Sequence, residues 1–124
     1  MLLYLSGHTR PDLSFAVHQC TRYTFALTNK HEKSLLCIGW YLKGTLDKGI
    51  LFDMKHALDL AGNPDADFAG LWNHELADVP HCVRSQTGFV ITLATCPVIW
   101  ASKMQTEIAL LTMEAEYIAL SIAC

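Results

Sequence analysis

Apolar residues recur at helical spacing through roughly the first 45 residues of the chain. The stretch from Thr9 to Asp12 is typical of a helix start, with a threonine cap, a proline in the first turn and an acid where the helix dipole favours one. The apolar positions that follow on one helical face are Leu13, Ala16, Val17 and Cys20. We therefore expect an amphipathic helix that buries this face.

A second helix is predicted between Asn29 and Gly44. Asn29 and Glu32 form a cap-like pair at its start, and Gly44 supplies a stop. The apolar positions at helical spacing are Leu35, Ile38 and Leu42. The short apolar run at residues 49–52 suits a strand, and the polar residues 53–56 suit a linker, so we expect a domain boundary near residue 55.

The pattern becomes strand-like in the second half of the chain, first at residues 57–60 and then at 65–68. Residues 71–85 show no periodicity and predict a long exposed loop. Residues 88–94 alternate between apolar and polar, with Phe89, Ile91 and Leu93 on one side. We expect a hairpin whose turn lies at Cys96 and Pro97 and whose second strand begins at residues 98–100.

The chain ends in a predicted helix that begins near Thr112. The apolar positions that recur along it are Ala115, Ile118, Ala119 and Ile122. The second half therefore reads as strand, hairpin and helix, which together with the first half indicates an α/β protein.

Composition narrows the possible classes of function. With 124 residues, of which 52% are hydrophobic, the chain can form one domain with a core or parts of two domains. The net charge of −3 gives no sign of the basic surface typical of nucleic-acid binders. Pro97 interrupts the longest apolar run, so no membrane helix is expected, and residues 1–5 lack the basic leader of a secretory signal.

The five cysteines form no C-x-x-C pair and are odd in number. We interpret them as buried thiols. His81, Cys82 and Cys96 could be considered as zinc ligands, but structural zinc needs four ligands at tighter spacing.

Three acids stand out as candidate functional groups. A strand would direct Asp65 and Asp67 to the same face, about 7 Å apart, which is how oxygen-ligand metal sites begin. Turn chemistry at the end of a strand is the alternative for this pair. On the last helix, Glu116 has the apolar helical neighbours Ala119, Leu120 and Ala123, so we expect its carboxylate to lie beside the buried face.

Two alternatives remain open for the acids of the last helix. Glu116 could reach back to solvent, or it could pair with Lys103 or Arg84. Glu114, in contrast, is expected to project toward Tyr117 and Ser121 and to stay solvated.

Five sequence blocks in this order resemble copia-type retrotransposon polyproteins. The blocks are Thr9–Val17, Tyr41–Thr45, Asp65–Gly70, Ser102–Thr106 and Glu114–Leu120. The resemblance implies that residues 1–55 are the C-terminal helical segment of a reverse transcriptase, or connection. Residues 56–124 would be the N-terminal part of a truncated RNase H-like domain, with an antiparallel three-strand start followed by a helix.

The resemblance also implies a reaction and its site. RNase H domains cleave the RNA strand of an RNA–DNA hybrid with two Mg²⁺ ions held by a few acids, and hard oxygen ligands suit magnesium. By resemblance, Asp65 is the acid that bridges both ions, Glu116 is the second metal-binding acid, and Asp67 is an auxiliary candidate. Pro64, just before Asp65, is expected to withhold a hydrogen bond from the sheet.

The same resemblance implies an intracellular, cytoplasmic setting and two partners, an RNA–DNA hybrid and the rest of the reverse transcriptase. The family's later acids would lie beyond Cys124, so we expect the 124-residue chain alone to be inactive. Two alternatives remain. The chain could be a non-catalytic remnant that binds polymerase or nucleic acid, or a small domain with a metal-stabilised loop.

Overall fold

A computed structural model of the protein describes residues 1–24, 28–52, 58–70 and 83–124. The chain divides into two compact units, residues 1–53 and 54–124. The predicted linker at residues 53–56 lies outside the described residues. Within the described ranges, no helix has the length and apolar character needed to cross a membrane.

The first unit is helical. It contains α1 (Leu2–His8), a 3-10 turn (Pro11–Leu13), α2 (Ser14–Thr21) and α3 (Asn29–Lys43). The core is formed by Leu13, Val17 and Ile38, and partly buried side chains of Leu2, Ala16, Cys20 and Leu42 pack against it. The apolar face predicted for the first helix and the helix stop at Gly44 are therefore confirmed.

Several details of this unit differ from the sequence-based predictions. Helix α1 was not predicted, because a seven-residue helix has too few positions to show a periodic pattern. Arg10, not Thr9, precedes the turn at Pro11, and Thr28, not Asn29, caps α3. His31 assists this cap, because its Nδ1 accepts a hydrogen bond from the Thr28 backbone N–H at 3.2 Å.

The strand predicted at residues 49–52 is wrong. No strand is assigned to these residues, and Leu51 and Phe52 are 84% and 65% exposed. A strand needs a neighbour to pair with, and the described part of this unit is built from helices.

The second unit is a three-stranded antiparallel sheet with one helix packed on it. The strands are β1 (Leu60–Asp67), β2 (Gln86–Leu93) and β3 (Cys96–Met104), in the order β1-β2-β3, and α4 (Thr112–Ala123) packs on β1 and β2. Ala115 and Ala119 of α4 are fully buried. This order of three strands and a helix agrees with the prediction. Residues 71–82 of the predicted loop lie outside the described residues.

The hairpin between β2 and β3 turns at Ala94 and Thr95, so the turn predicted at Cys96 and Pro97 is wrong. Both turn residues have left-handed φ angles, 49° and 69°. A two-residue loop of this kind matches the twist of the flanking strands, but glycine or asparagine normally occupies it. Because neither is present here, the sequence carries no signal for the turn.

Pro64 is accommodated at the outer edge of the sheet. Ala94 N donates to the Asp59 carbonyl at 3.0 Å, and the register pairs Pro64 with Phe89. Hydrogen-bonded and non-hydrogen-bonded pairs alternate along an antiparallel ladder, so Pro64 falls in a non-hydrogen-bonded pair. Its missing donor would therefore face away from β2, and the β1–β2 ladder loses nothing.

Candidate functional site

Asp65 and Asp67 lie on β1, where they share one face of the strand. Asp65 is paired with Gly88 and Asp67 with Gln86, and both acids are exposed. The Asp67 carboxylate lies so close to Gly70 that a Cβ added there would collide with it. The chain turns directly after Asp67, with Ala69 at a left-handed φ of 47°. Turn packing therefore accounts for Asp67, whereas Asp65 stands clear of the turn.

Glu116 lies in the first half of α4 and is exposed, so the expectation that its carboxylate is withdrawn beside the buried face is wrong. The buried face of α4 is narrow, since only Ala115 and Ala119 are fully covered. Leu120, on the same side of the helix as Glu116, is itself 46% exposed. In the described part of the chain Glu116 has no ion pair, so the alternative pairing with Lys103 or Arg84 is not observed there.

Glu114 has a local structural role at the start of α4. Its Oε2 accepts a hydrogen bond from the Leu110 backbone N–H at 2.7 Å, which satisfies a donor just before the helix and places an acid in the first turn. Glu114 is exposed, as predicted, and it borders an open apolar groove together with Tyr117 and Ser121.

Gln105, between β3 and α4, is 1% exposed. Its Nε2 donates to the Thr87 Oγ1 and to the Ala115 carbonyl, both at 2.9 Å. The side chain thus joins β2 to the first turns of α4, one residue before Glu116. The sequence drew attention to the block at residues 102–106 but assigned no role to its glutamine.

The residues present fit magnesium chemistry in kind but not in number. Asp65 and Glu116 are exposed carboxylates, and Mg²⁺ commonly keeps several waters while it takes one or two carboxylates and substrate phosphates. No group of three His, Cys, Asp or Glu side chains that could hold a metal occurs among the described residues. The described residues can therefore contribute to a magnesium site but do not complete a pair of ion sites.

A second polar cluster, in the helical unit, was missed by the sequence reasoning. Arg10 is buried and donates to both Asp12 oxygens, with the shortest contact 2.8 Å from Nη2 to Oδ2. Arg10 also donates to the Thr45 carbonyl and Oγ1, and the Tyr41 hydroxyl donates to Asp12 at 2.8 Å. The sequence blocks Thr9–Val17 and Tyr41–Thr45 therefore contact each other in this cluster.

The charges of this cluster stabilise each other. Hydrogen bonds from Arg10 lower the pKa of Asp12, against an opposing effect of burial, and Tyr41 adds to the lowering. Hydrogen bonding to Asp12 likewise raises the pKa of Arg10. Charge patterning could have suggested an Arg10–Asp12 pair, but the partners in residues 41–45 follow only from the fold.

The cysteines only partly follow the prediction of buried thiols. Cys96 is buried and Cys20 is half-buried, where burial raises its pKa. Cys37 and Cys124 are exposed, which corrects the prediction, since Cys37 lies away from the core face of α3 and Cys124 follows the end of α4. His81 and Cys82 of the zinc alternative lie outside the described residues.

Comparison with known proteins gives the family. The chain is 37% identical over 94% of its length to the retrovirus-related Pol polyprotein from transposon RE2 of Arabidopsis thaliana. It is 35% identical over 95% of its length to the retrovirus-related Pol polyprotein from transposon TNT 1-94 of Nicotiana tabacum. The chain belongs to the family of copia-type retrotransposon Pol polyproteins.

The chain spans 7% and 8% of these two polyproteins. It is also 35% identical, over 97% of its length, to the secreted RxLR effector protein 161 of Plasmopara viticola, and this match covers 79% of the effector. No protein-family model matches the chain. No solved structure matches it significantly either.

Proposed function

We propose that this segment of a copia-type Pol polyprotein supplies the end of the reverse transcriptase and the start of an RNase H-like nuclease domain. The parent domain would cleave the RNA strand of RNA–DNA hybrids during reverse transcription. One observation carries the proposal: β1 and α4, which hold Asp65 and Glu116, pack against each other within one compact unit.

Asp65 and Glu116 would hold magnesium through their carboxylates, with waters and substrate phosphates as the other ligands. Bound magnesium would supply an activated water and would stabilise the leaving oxygen. The exposure of both acids leaves them open to a large, anionic substrate. Asp67 is the weaker candidate ligand, because its carboxylate is packed against Gly70.

The two acids do not complete a two-ion site, so we expect the 124-residue chain alone not to cleave a hybrid. The test therefore uses a chimera in which this chain replaces the segment of the RE2 polyprotein that aligns with it. The alignment spans 116 residues. The substrate is an end-labelled RNA–DNA hybrid in the presence of Mg²⁺.

We expect the chimera to cleave the RNA strand, and we expect Asp65→Asn and Glu116→Gln each to lower the rate at least about 100-fold, since both would remove direct metal ligands. Asp67→Asn and Glu114→Gln are matched controls that change neighbouring acids and should lower the rate far less. If Glu116→Gln is no more harmful than Glu114→Gln, the site assignment is wrong.

A second candidate is a non-catalytic module that binds polymerase or nucleic acid. The match to the effector favours it, because a segment resembling this chain makes up 79% of that protein. Here the chimera would not cleave, while the isolated chain would retain an unlabelled hybrid or polymerase partner in a pull-down. An active, Asp65-dependent chimera would exclude this candidate.

A further inference from the structure

We propose that Gln105 is a positioning residue, which acts by holding the Glu116-bearing turn of α4 against the sheet. This inference rests on the proposed function. Gln105 touches neither acid in any hydrogen bond, so its effect on the site would pass through the backbone that it anchors.

Each of the two hydrogen bonds of Gln105 reaches a residue close to one of the two proposed acids. The Ala115 carbonyl that accepts one bond belongs to the residue before Glu116. Thr87, which accepts the other, precedes Gly88, the cross-strand partner of Asp65. One buried amide therefore links α4, which carries Glu116, to β2, which is the direct neighbour of the strand that carries Asp65.

The second polar atom of the Gln105 amide, Oε1, is buried as well. Within the described residues, the buried Oε1 has no hydrogen-bond partner. Burying an acceptor without a partner is unfavourable, so a methionine of similar shape would avoid that cost while losing the two bonds from Nε2. The two effects oppose each other, and Gln105→Met should change the overall melting temperature little.

The positions of the donor and the acceptor follow from the contacts. The Ala115 carbonyl can only accept, so the atom that faces it must be the amide nitrogen. An ionised Glu in place of Gln105 would put two acceptors opposite that carbonyl, and a protonated Glu would have one O–H donor where the amide has two N–H donors. Gln105→Glu therefore keeps the shape of the side chain and loses at least one of the two bonds, which makes it a second variant beside Gln105→Met.

The sheet offers a matched control in Gln86. Gln86 is also buried, at 6% exposure, and its Nε2 donates to the Ser102 Oγ at 2.6 Å. That bond joins β2 to β3, and α4 takes no part in it. Gln86→Met thus removes a buried glutamine amide from the same sheet without touching the link to α4.

The first measurement is hydrogen–deuterium exchange of the full 124-residue chain, resolved on peptides from α4. We expect Gln105→Met to raise exchange in the first turns of α4 several-fold, because the loss of two ordinary hydrogen bonds, about tenfold by itself, is partly offset by relief of the unpartnered Oε1. Gln105→Glu should raise it further, since it also buries a carboxyl group. Gln86→Met should leave these amides unchanged. Unchanged exchange in both Gln105 variants would overturn the proposal, whether or not the parent domain is a nuclease.

The second measurement is the Mg²⁺ concentration that gives half-maximal hybrid cleavage by the RE2 chimera. If Gln105 positions Glu116, Gln105→Met raises this concentration several-fold while the melting temperature stays near that of the parent, and Gln86→Met does not. An unchanged magnesium requirement would overturn the positioning role. A parent chimera that cleaves no hybrid would instead overturn the proposed function, and the exchange measurement would still decide whether Gln105 holds α4.

Discussion

Replacing Asp12 by asparagine should destabilise the helical unit by about 2 kcal/mol. The Asp12 carboxylate accepts bonds from Arg10 Nε at 3.0 Å, from Arg10 Nη2 at 2.8 Å and from the Tyr41 hydroxyl at 2.8 Å. Each charge-assisted bond contributes about 1.5–3 kcal/mol when buried, but the side chain of Asp12 is 38% exposed, so about 1 kcal/mol each is reasonable. An asparagine retains about one of the three bonds.

The dependence on pH separates this interaction from a general packing effect. Because Arg10 lowers the pKa of Asp12 in the folded state, the ionised form stabilises the fold. This contribution is complete above the ordinary value of 3.8 and is lost as the pH falls through the lower, folded-state pKa. Asp12→Asn should therefore cost about 2 kcal/mol at neutral pH and little in strong acid.

Urea unfolding of the full chain, followed by far-ultraviolet circular dichroism, measures both values. Asp47→Asn is the control, because Asp47 is exposed and makes no hydrogen bond or ion pair within the described residues. Tyr41→Phe should cost about 1 kcal/mol, and much less when Asp12 is already asparagine, since both changes remove the same bond. A loss for Asp12→Asn that is equally large at acid and neutral pH would refute the reasoning.

Three further predictions concern single residues. Burial lowers the pKa of His18 in the folded chain below the ordinary value of 6.5, so on acidification the unfolded chain binds a proton at this residue before the folded chain does. The urea midpoint should therefore fall as the pH drops below about 6.5, and His18→Gln should reduce this dependence. Thr95→Gly should stabilise the second unit by about 1 kcal/mol in urea titration, because it relieves a left-handed φ of 69° at an exposed, β-branched residue. A lower free energy of unfolding for this variant would contradict this account. Gly70→Ala should change the melting temperature little, because its methyl group would meet only the end of the exposed Asp67 side chain, which can rotate away; Gly62→Ala, which has open space, is the control, and a large loss for Gly70→Ala alone would contradict this account.

Local periodicity predicted α2, α3 and α4 and the centre of each buried face, although Leu35 and Ile122 among the predicted apolar positions are 37% and 46% exposed. Leu13 and Val17 are buried where helical spacing placed them, and so are Ala115 and Ala119 on the last helix. Such positions repeat every three or four residues, so a short stretch of sequence already defines the buried face. The hairpin turn was not predictable in this way, because Ala94 and Thr95 adopt left-handed angles that their side chains do not favour.

Long-range contacts were the part that sequence could not supply. The apolar neighbours of Glu116 suggested burial, yet the side chain is exposed because the sheet covers only a narrow stripe of α4. Arg10 and Thr45 are distant in the chain, and nothing in the spacing of residues indicates that they are bonded. The assignment of Asp65 and Glu116 to a metal site remains a prediction from resemblance.

The position of Pro64 limits what can pair with β1. In the sheet formed by the described residues, β1 is an edge strand whose outward-facing backbone N–H groups belong to Leu60, Gly62 and Ala66, and Pro64 has no such group. A further strand paired there would lack one backbone hydrogen bond at Pro64, so alternative registers would not be equivalent. Pro64 thus disfavours some pairing registers and makes edge-to-edge aggregation of chains along β1 less favourable.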